Sequence, residues 1–179
     1  MNTALVVIDV QVGIARHASR VAGWPAILAN IAALVTRAQT AGMSVIFIQH
    51  DGGTGHPLEP GTDGSALCPE LGVADADVVI HKTACDAFFE TTLESLLRER
   101  NARKLIVAGC MTEYCVDTSV RRAVSLGFDV MLAADAHGTI DSAPLQAAQI
   151  IAHHNRLLDG FAAGGASVIV APSAAAAFS

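Results

Sequence analysis

The chain is short of positive charge. Against 17 Asp and Glu it sets 11 Lys and Arg, a formal net charge of -6, so neither nucleic acid nor an anionic membrane is an expected partner, since both call for a basic face. It lacks a membrane-spanning run: the richest apolar stretch, 27–48, is broken by Arg37, Gln39 and Gly42. No basic segment leads into an apolar core with a small-residue cleavage pattern, so a cytoplasmic location is expected. The four cysteines, Cys68, Cys85, Cys110 and Cys115, form no C-x-x-C pair and show no zinc spacing. The stretch after the first apolar run reads "DVQVGI", without the G-x-G-x-x-G of a dinucleotide-binding turn.

What the chain has in quantity is apolar residues, 52% of its 179, with only 16% charged. That suits one domain over 1–179 whose sheet is covered on both faces, with further surface hidden in a homo-oligomer, a dimer or tetramer. Six runs rich in Val, Ile and Leu read as strands: 4–9, 44–50, 77–82, 104–110, 128–133 and 167–171. Helix-like segments lie between them at 25–41, 91–100, 114–126 and 144–159. Pro25 and Pro144 suit first-turn positions, and Gly42 and Gly127 fall where a helix ends in a left-handed residue. The alternation predicts an α/β fold with a six-stranded, mostly parallel, doubly wound sheet. Residues 52–72 ("GGTGHPLEPGTDGSALCPELG") break the rhythm and read as a mobile loop, an active-site cover or an oligomer contact. The Ala-rich tail, 174–177, reads as a frayed end.

Ligands of open parallel sheets bind beyond the carboxyl ends of the strands. Asp9 ends the first strand, Lys82 ends the third, and Cys115 opens the helix after the fourth; Gln11, His50 and Asp51 also lie beyond strand ends. A carboxylate or an ammonium next to a buried strand needs a partner, so Asp9 and Lys82 are expected to pair. A thiol at a helix N-terminus beside an ammonium is expected to be acidic and nucleophilic. Acid, lysine and cysteine together supply what acyl transfer needs.

These residues also carry a resemblance. "VVIDVQ" with Asp9 and Gln11, "HKTACDAFFETTLESLL" with Lys82, and "LIVAGCMTEYCVDTSVRRAVSLGFDVMLAADA" with Cys115 are similar to the isochorismatase-like cysteine hydrolases, a superfamily that includes nicotinamidase-related amidohydrolases. The likeness runs from Ala4 to about Leu158. Its most specific element is G-x-x-T-x-x-C-V, met by Gly109, Thr112, Cys115 and Val116. The resemblance implies a three-layer α/β/α sandwich, an Asp9–Lys82–Cys115 triad and a cis peptide between Cys110 and Met111. It also implies an oxyanion hole made by the backbone N–H groups of Met111 and Cys115.

The implied activity is cleavage of the C–N bond of a small amide through a thioester on Cys115. The alternatives are hydrolysis of an ether or ester-like bond, or a non-catalytic binding member of the same fold. Substrate-shaping positions are expected at Gln11, Ile14, His50, Phe88, Glu113 and Tyr114; Trp24 is a further candidate, for the pocket or for a subunit contact. Two departures from the resemblance touch the pocket: Ile14 stands where many members have an aromatic, and Asp86 where many have serine. Metal-binding nicotinamidases carry D-x-H-P after the second strand, whereas this chain reads "HDGGTGHP". Neither a metal nor a cofactor is expected.

Overall fold

A computed structural model describes residues 2–16, 21 and 23–178. The strands are β1 (Thr3–Ile8), β2 (Ser44–His50), β3 (Val78–Lys82), β4 (Lys104–Cys110), β5 (Asp129–Gly138), β6 (Ala162–Ala163) and β7 (Ala166–Ala171). They form one sheet in the order β3-β2-β1-β4-β5-β7-β6. All pairs are parallel except the β6–β7 hairpin. Strand β6 is the one the six-strand expectation omitted; with two residues it is too short to show a hydrophobic pattern.

The helices are α1 (Val12–Arg16), α2 (Trp24–Thr40), α3 (Leu93–Glu99), α4 (Asp117–Ser125) and α5 (Ala147–Leu158). Successive strand residues point to opposite faces, and β1 shows the result. Ala4, Val6 and Ile8 join one core with Leu93 and Leu97 of α3, Val120, Ala123 and Val124 of α4, and Leu158 of α5. Leu5 and Val7 join the other with Ile27, Ile31, Leu34, Val35 and Ala38 of α2, which recur at helical spacing. The sheet is thus the middle of three layers. Gly42 and Gly127 take positive φ, 64° and 86°, just before β2 and β5.

Three expectations are corrected. First, β5 continues past Ala133 to Gly138 because its polar residues find partners: Asp135 accepts from the Ser173 N–H at 2.6 Å and hydroxyl at 3.2 Å. His137 is held between the Thr112 hydroxyl at 2.9 Å and the Asn155 side-chain oxygen at 2.8 Å. Second, Pro144 is not in a helical first turn. Its bond to Ala143 is cis, and α5 starts at Ala147 behind a Gln146–Gln149 capping box, with Asp141 accepting the Ala147 N–H at 2.8 Å. Third, the tail is tied down: Arg37 donates to the carbonyls of Ser173 and Ala176 at 3.1 and 2.7 Å and stacks on Phe178. Of the two alternatives for Trp24, the pocket is removed: it is buried among the α2-side core residues and lines no part of the cavity at the strand ends.

The sheet order reverses between β1 and β4, the two central strands, and that junction is tight. Gly109 has φ 129°, and a Cβ there would meet the Ile8 backbone. Gly109→Ala is therefore expected to cost about 3 kcal/mol or more. Urea unfolding checks this; a loss under about 1 kcal/mol contradicts the close approach.

Candidate functional site

The switch point between β1 and β4 is where the strand-end residues converge. Asp9 follows β1 with φ 52°, its N–H bonded to the Ile48 carbonyl at 2.9 Å. Lys82 ends β3. The chain leaves β4 through a cis Cys110–Met111 peptide into a π-helical turn, Thr112–Val116, closed by the Val116 N–H on the Met111 carbonyl at 3.2 Å. Cys115 lies within that turn, and α4 begins only at Asp117. Behind it, Thr112 is pinned by His137, and both are buried.

Lys82 is the centre of the cluster. Its ammonium donates to Asp9 Oδ2 at 2.7 Å, to the Ala84 carbonyl at 3.0 Å and to Cys115 Sγ at 3.3 Å, and lies 3.3 Å from His50 Nδ1. Its side chain is fully enclosed and that of Asp9 nearly so, at 0% and 4% exposure. The other carboxylate oxygen, Asp9 Oδ1, is buried with no fixed hydrogen-bond partner.

Burial pushes the Asp9 carboxyl above its usual range, against the pull of the Lys82 ammonium. The Cys115 thiol is also pushed up, by burial first and then by the Asp9 charge, with Lys82 opposing both. The expectation of an acidic Cys115 is thus corrected. The sulfur sits inside a π turn instead of at a free helix end, and desolvation plus a neighbouring carboxylate outweigh the ammonium. Cys110, fully buried, and Cys68 are likewise raised by burial, Cys68 to about 11. His50 is lowered by burial and by Lys82, which keeps its ring neutral.

A cavity of about 200 Å³ opens onto this cluster, lined by Asp9, Ile14, His50, His56, Leu58, Cys85, Cys110, Met111, Tyr114 and Cys115. Of the six expected substrate-shaping residues, Ile14, His50 and Tyr114 are among its walls. Gln11 is a buried clamp: its amide nitrogen donates to the carbonyls of His50 and Ser65 at 3.0 and 2.8 Å, and its oxygen accepts the His50 N–H at 3.0 Å. Phe88 packs against the core, stacked on Phe128 at 6.2 Å between ring centroids. Glu113, in the π turn, does not line the cavity; its Oε2 is enclosed without a partner.

The sequence reading missed His56, Leu58 and Cys85. The first two come from the 52–72 loop, which is neither a free loop nor featureless. Two short 3-10 turns, Asp63–Ser65 and Pro69–Leu71, punctuate it. It is fastened by the Gly52 N–H to the Leu58 carbonyl at 3.0 Å and the Cys68 N–H to the Val10 carbonyl at 3.0 Å, and it buries Leu58, Cys68 and Leu71. Among the described residues, no three His, Cys, Asp or Glu side chains are grouped to hold a metal ion, and no helix is long and apolar enough to cross a membrane.

An enclosed carboxylate and ammonium beside a half-buried thiol mark the switch point of this doubly wound sheet as the candidate site. Residues 3–159 match the isochorismatase domain, and the chain belongs to the isochorismatase family. Streptothricin hydrolase from Streptomyces noursei is 36% identical over 138 residues, 77% of this chain but 50% of that protein, so the chain spans about half the length of this relative. Ureidoacrylate amidohydrolase from Variovorax paradoxus is 29% identical over 83% of this chain and 73% of its own. Among solved structures, an isochorismatase from Pseudomonas putida superposes with a TM-score of 0.88 at 30% identity, covering 97% of this chain and 89% of that one.

A raised thiol pKa leaves little thiolate at neutral pH. Alkylation of Cys115 by iodoacetamide is therefore expected to be slow at pH 7 and to reach half its maximal rate only above the pH of about 8.5 at which an ordinary cysteine is half-ionised. Peptide mapping across a pH series reads this. Labelling of Cys115 that has already levelled off near neutral pH contradicts it.

Proposed function

We propose that the chain hydrolyses the C–N bond of a small amide, with Cys115 as nucleophile, Asp9 as proton carrier and Lys82 as the fixed positive charge between them. The observation that carries this reading is the shared ammonium, 2.7 Å from Asp9 and 3.3 Å from the sulfur, two groups that line a cavity sized for a small molecule. The two similar enzymes, a streptothricin hydrolase and a ureidoacrylate amidohydrolase, favour the same reaction class.

The resting state holds a thiol, so activation accompanies attack. Asp9 Oδ1, without a fixed partner, takes the Cys115 proton as the sulfur adds to the carbonyl carbon; the raised affinity of Asp9 for a proton suits it to this role. Lys82 steadies negative charge as it develops on sulfur. The Met111 and Cys115 N–H groups are assigned to hold the carbonyl oxygen as it becomes an oxyanion, a stabilisation of about 3–4 kcal/mol for a well-aimed donor. Asp9 returns its proton to the departing nitrogen, ammonia or an amine leaves, and a thioester remains on Cys115. Water deprotonated by Asp9 then cleaves the thioester and regenerates the thiol.

Cys115→Ala is expected to lower ammonia release from any small primary amide that the parent turns over by about a thousandfold or more, with its unfolding curve close to that of the parent. Lys82→Met is expected to lose turnover as well and to unfold more readily, because it leaves Asp9 buried without its ion pair. An ammonia assay on a panel of small amides, paired with urea unfolding, reads both. Undiminished turnover by the Cys115→Ala protein sinks the proposal.

A further inference from the structure

His50 and His56 line the cavity, yet neither moves a proton or forms a bond in the amide hydrolysis. They reach the cavity by different routes. His50 ends β2 and is gripped through both its backbone N–H and carbonyl by Gln11. His56 comes from the 52–72 loop, its ring lying over Gly52, where a Cβ would collide with it. The two ring centroids are 5.9 Å apart with planes inclined at 58°, and both rings line the same cavity as Cys115.

Their tautomers follow from their neighbours. An ammonium and a backbone amide only donate. Lys82 Nζ stands 3.3 Å from His50 Nδ1, and the Leu58 N–H donates to His56 Nδ1 at 3.1 Å. Both Nδ1 atoms are therefore placed as acceptors, which leaves Nε2 as the N–H position of each ring. The ammonium beside His50 also opposes protonation of that ring. The outcome is two N–H donors in a wall whose other members without a catalytic role include Ile14 and Leu58.

We propose that His50 and His56 form a paired-donor subsite that selects amides whose acyl part carries a second acceptor oxygen, a ketone, amide or carboxylate oxygen a few bonds from the scissile carbonyl. This rests on the amidase reading for its use in catalysis, but the subsite itself is defined by ring geometry. His50 is half-buried and His56 stands at the exposed rim of the cavity, so a second acceptor oxygen gains two bonds from the wall that a plain alkyl amide forgoes. A volume of about 200 Å³ suits a small acyl group.

The test uses the Cys115→Ala protein, which binds without turning over, and three amides of equal length: levulinamide with a ketone, succinamate with a carboxylate, and isocaproamide with a branched alkyl end. Calorimetry is expected to show levulinamide and succinamate binding about tenfold more tightly than isocaproamide. Adding His56→Leu is expected to erase the difference, and His56→Asn, which restores an N–H, to recover part of it. Side-chain nitrogen NMR on labelled histidine reads the tautomers directly. Equal binding of all three amides, a hydrogen on Nδ1 of either ring, or a preference confined to succinamate (simple attraction to Lys82) overturns the proposal. Should the preference appear while the parent protein releases no ammonia from any of the three, the subsite stands and the amidase reading falls.

Discussion

Everything at this site depends on one ammonium group kept out of water. Lys82 has no exposed side-chain surface, and removing such a charge from water costs several kcal/mol unless its hydrogens are matched. It has four neighbours able to accept, Asp9, the Ala84 carbonyl, Cys115 and His50, and three hydrogens to give. Two contacts are short, at 2.7 and 3.0 Å; the remaining hydrogen is shared at 3.3 Å between sulfur and imidazole. The excess of acceptors makes the cluster responsive. In the proposed reaction, negative charge growing on sulfur draws the third hydrogen wholly to it, and His50 gives up a weak bond.

The fold supplies this arrangement through registers and anchors, not through flexible reach. Asp9 and the π turn leave neighbouring strands at the point where the sheet order reverses, so their separation is set by the sheet. Lys82 is two strands away, and His50, on the strand between, pairs with it in register. Gln11 then ties His50 to the 52–72 loop through Ser65. The Thr112–His137–Asn155 chain holds the back of the π turn. Burial lowers the His137 pKa, so below about 6.5 the unfolded chain takes up a proton that the folded chain resists. This contribution makes the fold less stable as the pH falls through that range.

The parts legible in the sequence were those whose reasons are local. β1, β2 and β4 are continuous Val, Ile and Leu runs, and Gly42 and Gly127 mark helix ends by a conformation that glycine adopts at little cost. Asp9 and Lys82 stood out because a charge beside a buried strand needs an answer, and each is the other's answer. The parts that escaped depend on partners far along the chain. Asp135 and His137 look like the polar end of a strand until Ser173 and Asn155 are beside them. Gln11 looks like a pocket residue until Ser65, 54 positions later, accepts its amide. The acidity of Cys115 was misjudged for a related reason: the helix end could be read locally, but the desolvation and the Asp9 charge that oppose it could not.

The chemistry assigned to the isochorismatase-family site turns on which group holds the proton, and Asp9→Asn separates the possibilities. Titrating the ultraviolet absorbance of the Cys115 thiolate in this variant, beside a turnover assay, is the most direct measurement. Losing the carboxylate charge should make the thiol more acidic than in the parent, while losing the proton acceptor should abolish turnover. An Asp9→Asn protein whose thiol is no more acidic, or one that still turns over amide at the parental rate, contradicts Asp9 as the group that both restrains and activates the sulfur.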